Sequence, residues 1–227
     1  MIADNIGTVQ ARIRRACVAA GRPVESVTLL AVSKRFPPEA VREAAAAGQR
    51  CFGENQVQEG VDKIVALRAS GGPLEWHLIG PLQSNKTAVA AAAFDWIESV
   101  DRLKIAQRLS TQRPPDAAAL DVCIQVNVGD EATKSGVAPG ETLALAKAVA
   151  GLPRLRLRGI MGIPAPTEDV ARQRAQFRAL RECFDRCLDA GLAVDTLSMG
   201  MSADLEAAIA EGSTEVRVGS AIFGVRK

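Results

Sequence analysis

Side chains able to do chemistry gather in three stretches of this sequence. The first is TLLAVSKRFPP, an apolar run that ends at Lys34 and is stopped by Pro37 and Pro38. An amine held in such a place can attack a carbonyl carbon. The other two are LSMGMSADLEAAI and EVRVGSAIFG, which hold Ser202 and then Arg217, Gly219 and Ser220. Ser202 is placed to cap a helix beginning at Ala203, where free amides and the positive dipole end would favour an anion. Gly219 lets backbone approach closely and Ser220 adds a hydroxyl, so both loops suit a phosphate. Arg217 has Val216 and Val218 on the opposite face of its strand. It needs an internal acceptor, for which Glu215 or the ring nitrogen of a ligand would serve. Each feature also has a plainer explanation, because strand-end lysines are commonly solvated and serine and glycine are ordinary loop residues.

Whether these groups meet depends on the elements that carry them. The apolar residues ahead of Lys34 suit a strand covered on both faces, and the prolines then open a helix, which makes the first half of a βα unit. Alternation puts Leu30, Val32 and Lys34 on one side of that strand. The same grammar recurs eight times. It predicts strands over 27–33, 50–53, 75–79, 95–98, 120–126, 155–161, 195–199 and 214–218. Helices are predicted over 38–47, 56–69, 85–93, 102–112, 139–150, 168–190 and 203–211, and an earlier one is marked by the spacing of Ile2, Ile6, Val9, Ile13 and Cys17. The expected fold is α/β, a single TIM (β/α)8 barrel over 1–227 with an extra N-terminal helix and no second domain after it. Strand carboxyl ends form the active face of such a barrel, and the loops after strands seven and eight frequently bind phosphate.

Composition narrows the partners. A net charge of +2 argues against a polyanion-binding surface, so nucleic acid is not expected. No apolar run approaches a membrane span, and early charges with helical spacing exclude a signal peptide. Five cysteines without a CxxC pair fit a reducing compartment, and the cytoplasm is the expected address. Cys183 and Cys187 share a helix face and are expected to be core thiols.

Further residues stand at the predicted strand ends. Asn55, with Gln58 three places on, is either an N-cap or a ligand contact. His77 is the one histidine, either a satisfied core group or an acid/base. Lys134 falls in the loop after strand five. A lysine on strand one, an anion seat after strands seven and eight, and an arginine between them outline a ligand with an aldehyde, a ring nitrogen and a phosphate. That ligand is pyridoxal 5'-phosphate.

The motifs AVSK, FGEN, WHLIGPLQSNK, DEATKSG, GIMGIPAP, LSMGMSADLEAAI and EVRVGSAIFG run in order through most of the chain. Together they resemble the pyridoxal phosphate homeostasis protein family, whose barrel is similar to the N-terminal domain of alanine racemase. The resemblance implies an internal aldimine on Lys34, Arg217 facing the pyridine nitrogen, and Ser202, Gly219 and Ser220 on the phosphate. It also implies Asn55, His77, Met161 and Met199 as pocket neighbours and Lys134 as a basic residue near the phosphate. Gln56 departs from the tyrosine common there. The expected role is that of a monomeric carrier or regulator of cofactor supply, with dependent apoenzymes as candidate recipients. The alternatives are a racemase-like enzyme on the same cofactor and, more remotely, a lysine aldolase.

Overall fold

The computed structural model describes residues 1–68, 72–129 and 135–224. Eight described strands are β1 (Thr28–Val32), β2 (Cys51–Glu54), β3 (Glu75–Leu78), β4 (Trp96–Val100), β5 (Leu120–Val126), β6 (Leu155–Gly162), β7 (Thr196–Ser198) and β8 (Glu215–Val218). The described helices are α1 (Ile2–Ala19), α2 (Pro38–Ala46), α3 (Val57–Leu67), α4 (Thr87–Ala93), α5 (Leu103–Gln112), α6 (Thr142–Ala150), α7 (Val170–Asp189), α8 (Leu205–Ala210) and α9 (Ser220–Phe223). Every strand pairs in parallel with its chain neighbour, and β8 returns to β1 with Leu30 opposite Arg217, so the sheet is a closed barrel. No described helix is long and apolar enough to cross a membrane.

Two layers of core follow from strand alternation. Outward residues such as Leu29, Ala31, Phe52, Leu78, Ile97, Val216 and Val218 join the helices in one large apolar layer. Each large side chain buried there contributes about 1.5–3 kcal/mol. Helix α1 adds Ile6, Val9, Ile13 and Cys17 from one face. Arg12 on that helix forks onto both carboxylate oxygens of Glu206 at 2.8 Å, tying it to α8. Inside the barrel are two small clusters, Leu30 with Val32 and Ile79, and Trp96 with Cys123 and Met161. Polar side chains fill the rest.

Strand β6 carries a bulge. Leu157 faces Val122 and Gly159 faces Cys123, which leaves Arg158 extra. The bulge resets the alternation so that Met161 points inward while Ile160 joins the outer layer. A Cβ on Gly159 would lie 1.7 Å from the Thr196 carbonyl oxygen, so only glycine fits this close approach. Helix α6 begins three residues later than the periodicity predicts, at Thr142, because Pro139 and Gly140 belong to the preceding turn. The helix expected from 203 begins at Leu205.

Candidate functional site

A cavity of about 260 Å³ opens at the carboxyl ends of the strands. Lys34 enters it from the turn after β1, Asn55 follows β2, Ile79 follows β3 and Ile163 follows β6. Met201 and Ser202 come from the loop after β7, and Arg217, Gly219 and Ser220 from the end of β8. Lys34 is half-buried, its direction set by Leu30 and Val32 pointing inward below it. A larger hollow of about 370 Å³ lies among the strand starts, lined by Glu75, Arg158 and Asp195. Size therefore does not single out the carboxyl-end cavity; the convergence of an amine, a guanidinium and two hydroxyl loops does.

Arg217 is fixed from below. Its Nη2 donates to the Gly162 carbonyl at 2.8 Å and its Nη1 to Ser198 Oγ at 2.7 Å. Neither acceptor is the Glu215 carboxylate anticipated from the sequence; Glu215 reaches Arg217 through Ser198. Ser198 Oγ is 2.6 Å from Glu98 Oε2 and 2.8 Å from Glu215 Oε1. A hydroxyl has one proton, which goes to Glu98, so the Glu215 carboxyl must supply the hydrogen of the other contact. Burial, with the charge of Glu98, pushes Glu215 up to about 8, consistent with that proton. Burial would raise Glu98 as well, but the hydrogen bond and charge of His77 hold it low. Burial also opposes the His77 imidazolium, yet Glu215, Glu75 and Glu98 raise it to about 10. Its Nδ1 meets Glu98 at 2.7 Å and its Nε2 meets Glu75 at 3.1 Å.

The loops after β7 and β8 face each other, with Ser220 Oγ 3.4 Å from Ser202 Oγ. Ser202 is not a helix cap: Asp204 is the N-cap of α8, and its Oδ1 accepts the Met201 amide. Ser220 instead begins α9, whose first amides lack intrahelical acceptors. Gly219 is drawn against β1, where a Cβ would lie 3.1 Å from the Val32 carbonyl oxygen.

Not every expected neighbour reaches the cavity. His77 is buried one layer deeper, because Ile79 two residues on occupies the rim. Its ring stacks on Trp96 at 4.8 Å. Met161 is likewise a layer below Ile163, against Trp96 and Cys123. Met199 points the other way, since Ser198 takes the inward position, and packs in the outer layer. Lys134 lies outside the described residues. Asn55 does not cap α3, whose N-cap is Gln56 without a side-chain bond. Asn55 Oδ1 is enclosed and makes no hydrogen bond to the described residues. Ser198, Glu98 and Ile163 were not anticipated; the alternation of β4 and β7 carried the first two, and the bulge hid the third.

Comparison with known proteins places the chain in a family. The model of the alanine racemase N-terminal domain family matches residues 5–227. A pyridoxal phosphate homeostasis protein of Pseudomonas aeruginosa is 60% identical over 99% of this chain and 96% of its own length. One from Escherichia coli K12 is 53% identical over 99% and 97%. The structure of PipY from Synechococcus elongatus with pyridoxal phosphate bound is 37% identical, covers 99% of this chain and 100% of its own, and superposes with a TM-score of 0.86.

Proposed function

We propose, because this chain belongs to the pyridoxal phosphate homeostasis protein family, that its cavity binds pyridoxal 5'-phosphate and that the protein regulates or carries the supply of that cofactor. The observation that carries the reading is the meeting of Lys34, Arg217 and the Ser202 and Ser220 loops in one cavity. The residues fit the cofactor. The unpartnered Asn55 Oδ1 at the wall is polar capacity kept for a ligand. The Ser220 end of α9 offers amides to an anion.

When bound, the cofactor supplies an aldehyde that condenses with a primary amine and a pyridine ring that withdraws electrons. Lys34 offers the amine. Arg217 uses two N–H groups on Gly162 and Ser198 and keeps others for the ring nitrogen. A nitrogen faced by guanidinium donors accepts without a proton of its own, which weakens electron withdrawal. The titratable side chains lining the cavity among the described residues are Lys34 and Arg217. His77, engaged on both nitrogens by Glu75 and Glu98, is walled off. The protein therefore holds its cofactor without efficient amino-acid turnover, since proton transfer on two faces of a substrate needs a second positioned acid/base. It acts as a monomeric one-domain barrel over 1–227 in the cytoplasm and passes cofactor to dependent apoenzymes.

The test is a visible spectrum with added pyridoxal phosphate before and after borohydride, followed by peptide mapping and deuterium exchange into L-alanine. A reduced adduct on Lys34 with slow exchange is expected. An adduct only on Lys86 would refute the site, and rapid exchange lost in Lys34→Ala would make this an enzyme of the racemase kind.

A further inference from the structure

The turn that bears Lys34 is gripped from behind by a buried ionic cluster outside the cavity. Lys63, in the middle of α3, has a side chain only 5% exposed. Its Nζ donates to the Ser33 carbonyl at 2.7 Å, to Glu54 Oε1 at 2.7 Å and to Glu59 Oε1 at 2.8 Å. Ser33 Oγ donates to the same Glu54 oxygen at 2.5 Å, and the Arg35 amide donates to Glu59 Oε1. The residues on both sides of Lys34 are thus tied to one ammonium and two carboxylates.

Two features indicate that the grip serves position rather than stability. Arg35 has φ 65, a left-handed backbone unusual for a residue with a long side chain, and such strain persists where surrounding contacts over-determine it. A buried ion pair is also a poor source of net stability, since apolar side chains of similar volume often do as well. Glu54 closes β2, so the cluster ties the Lys34 turn to the neighbouring strand of the barrel.

We propose that Lys63, with Glu54 and Glu59, is a positioning site that locks the turn 33–35 and so fixes where the Lys34 amine meets a carbonyl ligand in the cavity. The purpose rests on the pyridoxal phosphate reading; the grip does not. Lys63→Met alone strands the Glu54 carboxylate and could unfold the chain, so the informative variants are Lys63→Met with Glu54→Gln, and Glu59→Ala on the outer side of the cluster.

Three measurements separate the outcomes. The first is the rate at which pyridoxal phosphate forms a borohydride-fixed adduct on Lys34. The second is the affinity for pyridoxine 5'-phosphate, an alcohol that cannot bond to the amine. The third is acylation of Lys34 by acetic anhydride in ligand-free protein, followed by mass spectrometry. In the double variant, adduct formation slows by roughly tenfold to a hundredfold, the loss expected when a reacting group is misplaced by about an ångström. Pyridoxine phosphate still binds close to the wild-type affinity, and Lys34 acylation changes. Glu59→Ala shifts the first and third in the same direction by less. Wild-type adduct and acylation rates in the double variant would overturn the proposal. So would a fall in pyridoxine phosphate affinity equal to the fall in adduct rate, which would mark the cluster as general support. A wild-type protein that forms no adduct on Lys34 refutes the cofactor reading and the purpose of the clamp together, and a change in acylation distinguishes that result from failure of the clamp alone.

Discussion

Ser202 and Ser220 approach each other from two loops at 3.4 Å, a separation at which both hydroxyls can donate to one anion placed above them. Ser202→Ala and Ser220→Ala are each expected to weaken pyridoxal phosphate binding by about 1–3 kcal/mol, the range for a hydrogen bond to a charged group. Spectroscopic titration measures this, with pyridoxal lacking the phosphate as the reference. Substitutions that leave pyridoxal binding unchanged and weaken only the phosphorylated ligand place the anion between the serines, and equal losses for both ligands would remove it from there. At this scale the sequence was readable where a residue's direction followed from alternation. Lys34 and Arg217 could be turned inward on paper because Leu30 and Val216 fixed the parity of their strands. Depth along the barrel axis has no such signal. His77 and Met161, implied as pocket neighbours by the resemblance, point inward but sit a layer below the rim. The Lys63 cluster leaves no mark in the sequence because its three members come from a strand end and one helix, and a lysine within a helical pattern suggests solvent.

The order of strands and helices followed from the repeated βα grammar, but where β6 changes phase did not. Gly159 in mid-strand was the available sign, since glycine there often marks a bulge or a close backbone approach. Gly159→Ala would drive a Cβ to 1.7 Å from the Thr196 carbonyl oxygen, between two hydrogen-bonded strands that cannot part without opening the barrel. The expected cost is about 3 kcal/mol or more, at the upper end for overpacking. It would appear as a lower urea midpoint and, because Ile163 follows on the same strand, as weaker ligand binding. Gly7 in α1 makes the opposite case. It is exposed with nothing near its missing Cβ, so Gly7→Ala should stabilise the protein by about 0.5–1 kcal/mol through the helix backbone alone. Helix α9 has no sequence signature for a different reason: four residues are too few to show a period.

Across the whole molecule, a chain of polar groups runs from the hollow at the strand starts to the cavity at the strand carboxyl ends. Glu75 borders the first, His77 and Glu98 follow, and Ser198 joins Glu98 and Glu215 to Arg217 at the second. Arg158 lies 4.5 Å over the Trp96 ring, on which His77 also stacks. The interior of the barrel thus keeps its charge balance by protons as well as ion pairs, and stability must depend on pH. Glu215 is raised from 4.5 to about 8, so the folded state holds a proton there that the unfolded chain has released. Its contribution is fully present below 4.5 and is lost as pH rises through about 8. His77, raised from 6.5 to about 10, has the same sign: full below 6.5 and lost by about 10. Glu75, lowered to about 2 by its hydrogen bond from His77, contributes above 4.5 and loses that contribution as pH falls toward 2. Urea unfolding at a series of pH values should therefore show stability declining from neutral to alkaline pH. Glu215→Gln keeps the shape and the hydrogen of the protonated carboxyl, so at pH 6 it should be nearly as stable as wild type. It should lack the decline between about 4.5 and 8 that belongs to Glu215, while His77, without the Glu215 charge at high pH, should lose its proton earlier. A wild-type protein that grows more stable from pH 7 to 10, or a Glu215→Gln protein with an unchanged profile, would mean that Glu215 is ionised at neutral pH and that Ser198 gives its proton to a different carboxylate.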